Sequence, residues 1–151
     1  MLSETLELFI KNVELVEIVA FELSAKRRDT VENPQVPSQV QVQPNYNLQT
    51  ASKLDGSGFL IRLAVDLELP TGIIRCEVGA AYKIKELSNL TLSEEILIAF
   101  SNEVAVMTLI PYLRQHIADM SQRVLGFPLL MPIMVRGALV FNNSDPKNME
   151  P

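Results

Sequence analysis

Residues 109–132, LIPYLRQHIADMSQRVLGFPLLMP, begin as an apolar helix, meet a proline, and continue as an amphipathic helix with its charges on one side. From Tyr112 onward, Leu113, Ile117, Met120 and Val124 form an apolar stripe opposite Arg114, Gln115, Asp119 and Gln122. Pro111 falls in the helix interior. Its ring would crowd the Met107 carbonyl and remove one hydrogen bond, so the sequence predicts a kink there. Gly126 is placed as the residue just past the helix end, and Pro128 prevents continuation. A helix this one-sided needs something flat and apolar to lie on, and the residues upstream supply it.

The segment 59–69 alternates, with Ile61, Leu63, Val65, Leu67 and Leu69 on one side and Arg62, Asp66 and Glu68 on the other. Pro70-Thr71-Gly72 is a tight hairpin. The segment 73–84 returns, with Ile74, Cys76, Val78, Ala80, Tyr82 and Ile84 on one face and Arg75, Glu77 and Lys83 on the other. Residues 39–49, QVQVQPNYNLQ, place Val40, Val42, Pro44, Tyr46 and Leu48 on one face of a strand that Pro44 confines to an edge or a bulge. Over 13–25 a strict period of two predicts Val13, Leu15, Val19, Phe21 and Leu23 facing one way, and Glu14, Val16, Ile18, Ala20 and Glu22 the other. Residues 53–58 read as a turn, and 26–38 as a long crossover broken by two prolines. Residues 3–11 suit a short helix capped by Ser3. Ser93 caps another, with Glu94 and Glu95 at its positive end, and Ser101 or Asn102 is a candidate cap for a second. Residues 133–141 form a last short apolar element, helix or strand with helix preferred, and 142–151 a disordered polar tail. The expected fold is α+β: one domain over 1–141, with a four-stranded antiparallel sheet and a long Pro-kinked helix and short C-terminal element on one side.

Composition narrows the function. The chain has 151 residues, 48% hydrophobic and 21% charged, which suits one globular domain. A net charge of -5 argues against a nucleic-acid phosphate binder. The uncharged run 124–135 is shorter than the roughly 20 residues a membrane span needs, no signal peptide precedes the first helix, and a single cysteine fits a reducing cytoplasm. Catalysis finds no footing. The one histidine, His116, lacks a readable orienting acid or nucleophile, and Cys76 reads as a small buried hydrophobe. One histidine and one cysteine make no zinc site, and Gly56-Ser57-Gly58 lacks the lysine and following helix of a phosphate loop. No cofactor or metal is expected. The abundance of aliphatic side chains instead predicts self-association or an exposed apolar site.

Three short motifs, in order, resemble the SecB protein-export chaperone family over roughly residues 13–141: Cys76-Glu77-Val78 in the fourth strand; Pro111-Tyr112 followed by Arg114 in the helix; and Phe127-Pro128 followed by Leu130 and Pro132-Ile133. The resemblance implies a dimer of dimers with the long helices at the contact between dimers. It implies an ATP-independent holdase that binds unfolded polypeptide in apolar grooves for Sec export, and is no enzyme. Carried over by position, the groove would be lined by Val31, Val36, Val40, Val42, Tyr46, Leu130, Ile133, Met134, Leu139 and Phe141. An acidic patch on the exposed sheet face docks the motor SecA in that family, and Glu22 and Glu77 match it. Ile18 and Arg75 depart from that patch, and the tail is short. A SecB-like chaperone dedicated to one client, such as an antitoxin, without SecA docking is therefore the alternative. A small hot-dog-like enzyme would need its central helix ahead of most strands, and here the long helix follows the sheet.

Overall fold

The computed structural model describes residues 2–28, 43–86, 92–132, 134–135 and 137–142. Helix α1 (Leu2–Lys11) leads into strand β1 (Val13–Arg27). After the crossover come β2 (Asn45–Ser52), β3 (Gly58–Leu69) and β4 (Gly72–Ile84). Helix α2 (Glu94–Phe100) passes through a π-helical turn (Ser101–Ala105) into α3 (Val106–Leu125). The four strands form one antiparallel sheet in the order β1-β4-β3-β2. The fold is α+β, as the alternation and the helical stripe predict.

The β3–β4 hairpin supplies the floor of the core. Ile61, Leu63, Val65, Leu67 and Leu69 of β3 and Ile74, Cys76, Val78 and Ala80 of β4 are fully buried on the helix side. Leu109, Ile110, Leu113 and Ile117 of α3 close over them. Each such aliphatic side chain contributes about 1.5–3 kcal/mol by leaving water. Phe9 of α1, Phe59, Tyr82 and Phe100 meet in an aromatic cluster with centroid separations of 4.9 to 5.4 Å, which fixes both short helices to one end of the sheet. Ser93 caps α2 as expected, its Oγ accepting the Ile96 N–H at 3.2 Å.

Strand β1 departs from strict alternation. Its register against β4 shifts between Leu15 and Glu17 and again between Ala20 and Glu22. Each extra residue flips the faces that follow. Ile18 and Ala20, expected to share a face with Glu14 and Glu22, therefore stand opposite Ala80 and Val78 on the helix side, while Val19, expected with Val13 and Leu15, stands opposite Gly79 on the outer side. Phe21 lies over Gly79, and the Arg62 guanidinium sits 3.9 Å from its ring centre. Strand β2 begins at Asn45, so Pro44 precedes the ladder.

The long helix also differs from expectation. Neither Ser101 nor Asn102 starts a helix; they lie in the π turn that follows α2, where the Val106 N–H reaches the Ser101 carbonyl five residues back. One change in the hydrogen-bond ladder thus falls upstream of Pro111, and α3 continues through that proline, which has no N–H of its own to give, to Gly126, which takes the left-handed conformation (φ 88°). The buried line runs through Leu113, Ile117, Ser121 and Leu125; Met120 and Val124 are half-buried. The span Glu94–Leu125 is long and apolar enough to cross a membrane, but 56% of its most apolar window is buried inside this fold, as for a core helix. Beyond Gly126 the described residues form no helix. Pro128 and Pro132 remove donors, Gly137 takes φ 88°, and the chain runs as an irregular strap, which corrects the helix expected over 133–141.

Candidate polypeptide-binding surface

The strap carries most of the predicted site residues that the structure describes. Leu130 is 75% exposed, and Val135 (72%) and Val140 (58%) join it. Met134, Leu139 and Phe141 are half-buried and pack against the core. The strap therefore shows solvent a run of apolar side chains while its other residues anchor it. Tyr46 lies on the edge strand β2, half-buried beside Val65 on the helix side, and burial pushes its hydroxyl pKa up. Val31, Val36, Val40, Val42 and Ile133 lie outside the described residues.

Three side chains tie the strap to the long helix. The Ser121 hydroxyl accepts the Leu129 N–H at 2.6 Å and donates to the Ala118 carbonyl. Arg114 Nε donates to the Met131 carbonyl at 3.1 Å. The Asn102 amide donates to the Phe141 carbonyl and accepts the Phe141 N–H, both at 2.8 Å. Sequence reasoning missed these residues because it placed Arg114 on a solvated face, Ser121 nowhere, and Asn102 at a helix start. Asn102 and Phe141 wall an open pocket of about 430 Å³ together with Glu94, Glu95, Ile98, Ala99 and Asn142.

The outer face of the sheet is charged but internally paired. Arg75 bridges Asp66 at 2.6 Å and Glu22 at 3.1 Å, and the Asp66 hydrogen bond holds its pKa above the ordinary guanidinium range. Glu77 is buried beneath Arg62, which binds it at 2.8 Å. Arg28 pairs with Glu68 at the strand ends. Both Glu22 and Glu77 are thus on the expected face, each against an arginine. Leu15, Val16, Phe21 and Leu23 expose apolar side chains along β1, whose outer edge pairs with no other strand among the described residues.

No family model and no curated protein matches the sequence. A comparison of structures does find matches. The Mycobacterium tuberculosis Rv1957 SecB-like chaperone, in complex with a ChAD peptide from the Rv1956 HigA1 antitoxin, superposes with a TM-score of 0.72 over 89% of this chain and 96% of that one, at 16% identity. This chain has the SecB-like fold. A Streptococcus agalactiae protein of unknown function matches more loosely, with a TM-score of 0.44 over 80% of this chain and 97% of that one at 11% identity. At 16% identity the SecB-like likeness is one of fold, with most side chains changed.

Proposed function

We propose that this protein is an ATP-independent holdase that captures non-native polypeptide on the apolar strap. The observation that carries the reading is the exposed row Leu130, Val135 and Val140, displayed on a SecB-like fold. Aliphatic side chains on an irregular backbone adapt to many client shapes, and edge backbone adds hydrogen bonds that ignore client sequence. Slowed aggregation of an unfolded client without ATP tests the reading. No protection at one assembly per client rejects it.

Of the two client classes, the paired outer face favours a dedicated client over general Sec export. Arg62 and Arg75 stand against the two carboxylates, Glu77 and Glu22, that would otherwise form an acidic SecA-docking patch. The structural neighbour held a peptide from an antitoxin, which suits the same class. A measured SecA affinity separates the two, since tight binding would restore the export role. The open β1 edge with its exposed apolar residues supports self-association, and a homotetramer, a dimer of dimers, is the assembly that a native mass measurement should return. A cytoplasmic site suits the lone reduced thiol.

A further inference from the structure

The three side chains that hold the strap all hold its backbone, and one of the three contacts differs in kind. Ser121 and Arg114 each take a single group, from Leu129 and Met131. Asn102 takes both the N–H and the C=O of Phe141. A primary amide that pairs with both groups of one residue copies what a neighbouring β-strand does, and such a contact is indifferent to the side chain of the residue it holds. The setting differs too. Ser121 is fully buried, whereas Asn102 is half-buried and opens on the pocket walled by α2. Asn102 also sits in the π turn, a geometry that recurs at functional positions. The segment seated there, Leu139-Val140-Phe141, is apolar and lies outside helix and strand, with Val140 mostly in solvent.

We infer that Asn102 is a backbone-docking position for an extended polypeptide from another chain, and that the strap around Phe141 fills it in the empty protein. The inference rests on the polypeptide-capture reading and names a contact where client and strap compete. The incoming segment offers one residue's N–H and C=O to Asn102 and a bulky apolar side chain in place of that of Phe141. Glu94 and Glu95 on the pocket wall disfavour acidic residues beside it. Ser121 and Arg114, nearer the helix end, keep the proximal strap in place throughout.

Hydrogen exchange on the full chain, with and without saturating reduced and carboxymethylated lactalbumin as the unfolded probe, tests this. The Phe141 amide should lose at least about ten-fold protection when the probe binds, while the Leu129 amide keeps its own. The substitution Phe141→Pro removes the N–H that Asn102 accepts and should tighten probe binding several-fold. Adding Asn102→Ala to that variant should cancel the gain and weaken binding further. Unchanged Phe141 protection in the complex, or equal affinity of Phe141→Pro with and without Asn102→Ala, overturns the inference while leaving capture intact. Failure of the wild-type protein and all variants to bind the probe rejects polypeptide capture itself, and this contact with it.

Discussion

Alkaline pH should destabilise this protein by an amount set largely by one thiol. Cys76 is fully buried on the helix side of β4, in the row between Ile74 and Val78. Burial, with smaller contributions from the nearby charges of Glu22 and Glu77, pushes its pKa from 9.0 up to about 12. In the unfolded chain the thiol ionises near its ordinary value. Between those two values the unfolded state releases a proton that the native state keeps. The stabilisation is therefore complete below pH 9.0 and is lost as pH rises toward 12. At about 1.36 kcal/mol per unit, the loss approaches ~2.7 kcal/mol by two units above the unfolded value and ~4 kcal/mol at its full extent. Against a typical net stability of about 5–15 kcal/mol, that is readily measured. Urea unfolding of the wild type and Cys76→Ala from about pH 8 to pH 11 isolates the effect, because Tyr82, whose hydroxyl pKa burial also raises, titrates alike in both. The wild type should lose ~2–3 kcal/mol relative to the variant across that range. A stability difference that stays constant with pH would refute the buried placement of the thiol.

The other expectations concern packing and the surface. Ile117→Ala should cost ~2–5 kcal/mol in urea unfolding, since its side chain is fully enclosed between α3 and the sheet. Gly72→Ala should cost more than Gly79→Ala. A Cβ at Gly72 meets the Lys26 backbone carbonyl, whereas one at Gly79 meets side chains alone, chiefly the edge of the Phe21 ring and then a Leu60 methyl, and the ring can swing away at about 1 kcal/mol of lost contact with Arg62; the reverse order would overturn the face assignments of β1. Leu130→Asp should leave the melting temperature within a degree or two and weaken client capture at least ten-fold, because Leu130 is three-quarters exposed and a buried Leu is worth about 1.5–3 kcal/mol. Arg75→Ala should cost under about 1 kcal/mol, since Asp66 and Glu22 are both over 40% exposed, and the loss should shrink further in high salt.

The hairpin β3–β4 was plain in the sequence because both its strands alternate without a break and one turn joins them. Its register then fixes the helix side of the sheet, and the one-sided α3 follows. Strand β1 was misread in its middle for a local reason. A bulge adds one residue with no compositional mark, and Val16 and Phe21 are as good strand formers as their neighbours. The same ambiguity hid the strap. Residues 126–141 are apolar enough for a helix, but two prolines on the near side and Gly137 at positive φ take the backbone elsewhere, and the tethers that hold it come from polar residues on a helix already assigned an apolar task. Period analysis finds side chains that face a core. It does not find a serine or an asparagine that is turned inward to hold a backbone from a distant part of the chain.

The outer sheet face shows how an arginine can neutralise an acid without moving it. Glu77 stands where the family resemblance expects a docking carboxylate, yet Phe21 covers Gly79 beside it and Arg62 lies across both. That arrangement is a consequence of the second bulge in β1, which turns Phe21 onto this face at the level of Gly79. A bare glycine in β4 leaves the room, an aromatic from β1 fills it, and the arginine on β3 is held by the ring on one side and the carboxylate on the other. Glu77 is almost fully buried and Arg62 mostly so, so removal of either partner would leave a buried charge unopposed, and the intact pair presents the negative charge of Glu77 to solvent already opposed. Asp66 and Glu22 are opposed in the same way by Arg75. A partner that recognises a field of unpaired carboxylates would find little to hold here, while the apolar strap on the opposite side of the molecule is unaffected. The division of the two faces is the physical support for the proposal of a client-binding chaperone without motor docking.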